Sequence, residues 1–509
     1  MSGWRAFVNA YCTGNGNLNN LTNIELMNEY RIYPGSVNAS DKCTCFMTWE
    51  DAEKILVVTG GTEMSRFEGY EENVGGRTVK LCPLNNVNSY VLRSIFEFTN
   101  PTVNRKYDMS FGLGDRLGLA SQGHIRLIKD KKIFPVLAQQ SIRELNLTDR
   151  TFEDVLASAV WAVFQEGYRD GFGADGDHLK TAEEVRRALD SGYTMITLDC
   201  SEHIETGIDG LPEELLKNRY AALDDEERGY WEGKYLSRTF EIDSGIGISI
   251  SESELMETVL MYKEVVSFIE EIYHKVIRAC ARNIDFEISI DETSSATSPG
   301  VHYMIASELK DHGVQFMSLA PRFCGEFQKG IDYKGDIQQF GKELSSHAAI
   351  ARHFGYKLSI HSGSDKFSAF PAIGELTKHK FHLKTAGTNW LEALGVIASV
   401  DLEFFLSVYR FSLKKLDDAK RYYHIFAERY MAPSAERVAE DPLRYIRSDE
   451  TVRQVLHVTY GYILCERHSD GRFVFRDRLY RILNENEESY CDALYRHIKR
   501  HLLYLGVCA

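Results

Sequence analysis

Between residues 108 and 394, short runs of strand length alternate with segments of helical periodicity, and that alternation admits very few folds. The strand-like runs are 109–115, 134–141, 171–178, 194–200, 285–291, 315–323, 357–363 and 381–387. Most are separated by apolar residues at helical spacing, as in 181–189, 253–278, 303–310 and 340–353. Eight such runs within this stretch are the pattern of an α/β fold of the (β/α)8 TIM-type barrel class. A doubly wound open sheet shows the same alternation and is the runner-up.

The flanks differ in character. Residues 1–107 read as a small N-terminal α+β cap: 54–59 is a strand stopped by Gly60-Gly61, 78–81 a second strand, and 91–98 a helix ended by Asn100-Pro101. Its first fifty residues, with Gly14, Asn15, Gly16, Asn17, Asn19 and Asn20, are expected to be loosely ordered. Residues 395–509 turn helical and form a C-terminal helical extension. Residues 202–247 are a charged insertion between the fourth and fifth strands of the 108–394 catalytic barrel, expected to cover the active face.

Composition narrows the class. A net charge of -15, from 59 basic and 74 acidic residues, argues against a general nucleic-acid binder. Ten cysteines without CxxC spacing fit reduced thiols. No apolar run approaches membrane-spanning length and the N-terminus has no secretory pattern, so a cytoplasmic enzyme without membrane contact is expected. A homo-oligomer is left open.

In a barrel the C-terminal strand ends build the active face, and here those ends are polar. The densest is 171–180, where Asp175 and Asp177 share a face at period two and His178 stands at the exit, followed by Lys180. Other tips carry Arg116; Gln139, Gln140 and Arg143; Asp199; Glu287, Ser289 and Asp291; Arg322; His361 and Lys366; His382 and Lys384. His178 and His361 suggest a divalent cation (Zn, Mn, Ni or Co), with His302 or an acid such as Glu287 as third ligand, although no local zinc motif is present. Read without a metal, each imidazole is structural or touches substrate. The basic residues Arg116, Arg143, Lys180, Arg322, Lys366 and Lys384 ask for an acidic small molecule, with Arg322 and Arg143 leading for its carboxylate. Gln139, Gln140 and His382 complete the expected substrate contacts. No P-loop or GxGxxG is present, so a carboxylate is favoured over a nucleotide.

Longer motifs at the same places resemble the tagaturonate epimerase family. They are Phe111-Gly112-Leu113-Gly114-Asp115-Arg116-Leu117-Gly118, Ala138-Gln139-Gln140-Ser141-Ile142-Arg143-Glu144 and Phe172-Gly173-Ala174-Asp175-Gly176-Asp177-His178. Leu319-Ala320-Pro321-Arg322-Phe323, Lys329-Gly330-Ile331-Asp332-Tyr333, the run Ser359 to Ser368, the run Phe381 to Thr388, and His457-Val458-Thr459-Tyr460-Gly461 extend the likeness over roughly residues 108 to 505. The resemblance implies a metal-dependent isomerase that interconverts the sugar acids D-tagaturonate and D-fructuronate in hexuronate catabolism. It implies metal ligation by His178 and His361, Asp177 as proton acceptor and Glu287 as proton donor. Gly176 departs from the alanine of the family pattern, which is expected to loosen the backbone beside Asp177.

These two sugars differ at C4, which is β to both the C2 ketone and the C6 carboxylate. Its C–H is not acidified, so simple enolisation cannot invert it. Retro-aldol cleavage of C3–C4 needs a base on the 4-hydroxyl, the role open to Asp177, and an electrophile at the C2 ketone. Alternatives are a fructose/tagatose 4-epimerase, a sugar-acid aldolase using Lys180 or Lys384 as a Schiff base, and a non-catalytic carbohydrate-binding barrel.

Overall fold

The computed structural model describes residues 3–11, 27, 29–242, 245–293 and 295–507. Near the N-terminus, helix Gly3–Tyr11 packs on an antiparallel sheet of β1 (Asn38–Ala39), β2 (Thr44–Glu50), β3 (Glu53–Thr59), β4 (Tyr70–Val74) and β5 (Arg77–Pro83), in the order β1-β2-β3-β5-β4. Strand periodicity splits its side chains. Cys45, Met47, Leu56 and Val58 join the core that continues into the barrel, whereas Phe46 and Val57 pack with Trp4, Phe7 and Val8 on the other face. Loose order was expected throughout the first fifty residues, but Trp4 and Phe7 are buried. Gly14, Asn15, Gly16, Asn17, Asn19 and Asn20 lie outside the described residues.

The barrel strands are β6 (Met109–Leu113), β7 (Ile133–Ser141), β8 (Gly173–Leu179) and β9 (Met195–Asp199). After the insertion hairpin of β10 (Thr239–Ile242) and β11 (Ile246–Ser249) come β12 (Asp285–Ile290), β13 (Ser318–Pro321), β14 (Lys357–Ile360) and β15 (Phe381–Thr385). Each expected strand is present, and all eight pair in parallel in one closed ring. Closure comes from β15 on β6 and β9 on β12, which removes the open-sheet alternative.

Apolar side chains of the wall, such as Ile196, Leu198, Phe286, Ile288, Leu358 and Leu383, face the surrounding helices and are fully buried. At about 1.5–3 kcal/mol for each fully buried side chain, that outer layer dominates stability. Above a small apolar floor of Phe134, Val136 and Met195 the interior is polar instead: Ser110, Asp175, Thr197, Glu287, Ser318 and His382 are all buried inside the ring. Gly112 makes room among them, because a Cβ there would lie 2.0 Å from Gln139 Oε1.

Strand β8 breaks its own alternation at the top. Its register against β9 shifts between Gly176 and Leu179, and His178 has φ +54. This bulge lets the consecutive residues Asp177 and His178 both reach the cavity, which a regular strand forbids. Gly176 serves close packing here, not backbone freedom: a Cβ would stand 2.8 Å from Leu179 Cδ1 and 3.0 Å from Ala188 Cβ.

The 202–247 insertion does not cover the active face. Its helices Glu213–Ala221 and Asp225–Tyr235 pack along helix Glu252–Ile272 on the flank, and none of its described residues lines the cavity. The C-terminal helices take that place. They share a core of their own around Trp390, Phe405, Tyr409 and Leu456. Helix Glu487–Tyr504 docks on helices Ser121–Ile128 and Thr388–Val400.

Candidate active site

A cavity of about 490 Å³ opens at the C-terminal strand ends. Asp177, His178, Asp291, His361 and Lys384 line one side, Arg143, Arg322 and Lys329 another, and Tyr423 and His457 descend from the C-terminal extension.

Lys384 is the electrostatic hub. Its Nζ lies 3.0 Å from Asp175 Oδ2, 2.5 Å from Asp177 Oδ1 and 3.0 Å from Glu287 Oε1, and it donates to Thr197 Oγ1 at 2.5 Å. Burial opposes a charge on this lysine, but the three carboxylates outweigh it and hold the ammonium protonated. A Schiff-base nucleophile must be a neutral amine, so this environment disfavours the aldolase alternative at Lys384. Burial likewise opposes charge on Asp177, but Lys384 and the imidazoles of His178 and His361 override it and keep the carboxyl ionised. Burial dominates at Asp175, deeper in the ring, and pushes it up to about 6.

The donor atoms of His178, Asp291 and His361 all lie within 4.8 Å of one another. His361 Nε2 faces Glu287 Oε1 at 2.9 Å, and its Nδ1 is 3.2 Å from Asp291 Oδ1. A proton on Nε2 directed at Glu287 leaves Nδ1 as a ligand beside Asp291, the usual carboxylate–imidazole support of a metal site. The His178 Nδ1 is buried and lies 3.2 Å from Asp177 Oδ1 without hydrogen-bond geometry. Burial would lower the pKa of His361, yet the carboxylates of Asp291 and Glu287 push it up to about 10. The spot thus calls for positive charge, and two imidazoles with one carboxylate suit a divalent transition metal.

Several expected residues lie away from the cavity. His302 is fully buried behind the wall, with Nδ1 2.8 Å from His347 Nδ1 and Nε2 2.6 Å from Tyr356 Oη, so both nitrogens are in use. Asp291, and not His302, is the residue grouped with His178 and His361. Glu287 lies below the cavity and does not line it; despite burial, Lys384, His382 and His361 favour its carboxylate form. Gln140 faces outward, because the register of β7 shifts between Val136 and Ala138, and it accepts from Arg150 Nη1 at 3.2 Å. Lys180 sits on the rim, 3.1 Å from Glu202. His382 lies deep in the ring beside Ser110, at 2.9 Å.

The other expected contacts do reach the cavity. Gln139 lines it, with Nε2 3.4 Å from Asp177 Oδ2. Arg116 pairs with Glu144 at 3.0 Å and lies 3.9 Å over the Tyr460 ring. Arg143 stands 4.9 Å over Tyr423 and donates to the Tyr422 carbonyl. Arg322 lines the wall, and no described carboxylate pairs with it. Lys366 reaches the cavity but donates to the carbonyls of Gln328, Ile331 and Ser364, bracing the loop that carries Lys329.

Sequence reasoning did not place Lys329, Tyr423 and His457 at the cavity, nor Asp291 with the two histidines. Asp291 carried a signal, since it shares the period-two face of Glu287 and Ser289. Lys329 sits on an irregular loop, and Tyr423 and His457 lie on elements outside the barrel, where no strand-tip rule applies.

The profile of the tagaturonate epimerase family matches residues 33–505. A tagaturonate/fructuronate epimerase of Thermotoga maritima is 40% identical over 475 residues, covering 93% of this chain and 96% of that protein. Two crystal structures of the fructuronate-tagaturonate epimerase of Cohnella laeviribosi superpose with TM-score 0.91. The glycerol-complexed form is 45% identical and covers 95% of this chain and 98% of its own; the native form is 44% identical and covers 96% and 100%. With the closed barrel, the cavity and matches of this extent in hand, the chain belongs to the tagaturonate epimerase family.

Proposed function

We propose that this protein interconverts D-tagaturonate and D-fructuronate, in the cytoplasm and as a step of hexuronate catabolism, by retro-aldol cleavage and re-addition at C3–C4. The observation that carries the reading is one cavity in which an ionised Asp177 adjoins the His178, Asp291 and His361 donor set, with unpaired basic side chains across from it. The relatives named above act, by their names, on the same pair of sugars.

Asp177 takes the proton from the 4-hydroxyl. The C3–C4 bond breaks, its electron pair passes to the C2 carbonyl as an enediolate, and C4 becomes an aldehyde. The aldehyde half turns, carbon adds to its opposite face, and Asp177 returns the proton to O4. Lys384 keeps Asp177 ionised before the step and offsets charge during it. Glu287 orients His361 through the Nε2 contact. A divalent cation held by His178, Asp291 and His361 would supply Lewis acidity at the ketone oxygen. The test is direct: the purified protein is incubated with D-tagaturonate and fructuronate is measured, before and after chelation and with Zn, Mn, Ni or Co added back. No turnover with any metal ends the reading and favours a binding protein.

A further inference from the structure

Lys329 occupies a conspicuous place in the cavity, on the loop after β13. Its ammonium donates to Ser362 Oγ at 3.0 Å, and among the described residues no carboxylate forms an ion pair with it. Burial, then the like charge of Arg143, push its pKa down, with Arg116 adding to the effect against Glu144. The buried basic groups of the cavity, unlike the half-buried Lys329, are committed within the protein. Lys384 faces three carboxylates, Arg116 faces Glu144 and Lys366 holds three carbonyls. Lys329 and Arg322, both half-buried at the cavity wall, are left without a carboxylate, and of the two Lys329 is the one whose charge is crowded by Arg143 and Arg116, so a ligand anion relieves it most.

Its position suits one end of a hexose. Ser362 directly follows His361, so Lys329 is anchored one residue, about 3.8 Å of chain, from the donor set. A six-carbon sugar with its ketone end at His178, Asp291 and His361 reaches that far. Beside this place His457 lines the cavity with both ring nitrogens buried and unpartnered among the described residues. Burial and the surrounding basic groups, Arg116 and Lys329 first, keep its ring neutral, so it has one N–H to donate to an anion.

We propose that Lys329 is the anchor of the substrate carboxylate, assisted by His457, and therefore the residue that selects a sugar acid over a neutral ketohexose. This rests on the function proposed above. Wild-type turnover of D-tagaturonate is recorded first, and its absence overturns both readings. Given turnover, Lys329→Met should raise KM for tagaturonate roughly 10- to 100-fold, the loss of one charge-assisted hydrogen bond, with kcat changed only a few-fold. Lys329→Arg should restore most of that loss. The ligand-free Lys329→Met protein should keep its Tm, because the half-buried Lys329 makes no ion pair and one hydrogen bond, to Ser362; a lysine with a purely structural role would lower it. A Met variant with wild-type KM, or with a lowered Tm and kcat at unchanged KM, overturns the assignment. So does an Arg322→Leu variant that takes the KM loss while Lys329→Met does not.

Discussion

Asp177 is held ionised by Lys384, the state that the proposed attack on O4–H requires. Asp177→Asn should therefore lower kcat by about 100- to 10,000-fold, the usual worth of a general base, while bound metal measured by elemental analysis stays unchanged. Turnover of the wild type in deuterated water should invert C4 without placing deuterium there. Deuterium entering C4 in step with inversion would remove the retro-aldol step. The ligand assignment is decided by a pair of variants. Asp291→Ala should lose metal about 10- to 100-fold more readily, whereas His302→Ala should keep it. The second variant should instead lose about 1–3 kcal/mol of stability in denaturant, because Tyr356 and His347 are left unpaired in the core.

At the scale of elements, the C-terminal helix Glu487–Tyr504 holds the loop after β14 by a buried cluster. Asp365, at φ +56, pairs with Arg453 and lies 2.8 Å from His497 Nε2 and 3.3 Å from His501 Nε2. His501 Nε2 also accepts from the Asp365 backbone N–H at 3.0 Å, so the cluster is a lock between elements. Asp365→Ala should cost about 3–5 kcal/mol in equilibrium unfolding, because Arg453 is then buried without its partner. The lock is acid-sensitive. Burial lowers the pKa of His501 to about 4, so the folded state resists a proton that the unfolded chain takes up near 6.5. Its contribution is complete above about pH 6.5 and declines as pH falls toward 4, by up to about 3 kcal/mol. Asp365, held ionised against burial by His497 and Arg453, adds a loss of the same sign at still lower pH. A His501→Asn variant should show a flatter fall in unfolding free energy between about pH 6.5 and 4.5, and an equally steep fall would refute the account.

At the scale of the whole molecule, the barrel exchanges an apolar interior for a charged one and draws its stability from the layer between wall and helices. Three carboxylates around one ammonium leave residual negative charge, which a divalent cation beside Asp291 would relieve. Chelation should therefore lower Tm as well as activity; a cation at a hundred times its Kd stabilises by about 2.7 kcal/mol. The barrel, its eight strands and its polar face were legible in sequence because strand and helix periodicities are local, and because strand-tip residues such as Asp177, His178, His361 and Lys384 follow from position along a strand. Tertiary structure alone decided the rest. Whether an inner or outer face receives a given side chain turned on alternation and on two register shifts: one in β7 between Val136 and Ala138, which sent Gln139 in and Gln140 out, and one in β8, which brought His178 in beside Asp177. Which histidine meets the cavity turned on helix packing, which took His302 into the core. That Lys329, Tyr423 and His457 converge on one site is a long-range contact, and no local pattern of residues encodes the distance between segments a hundred positions apart.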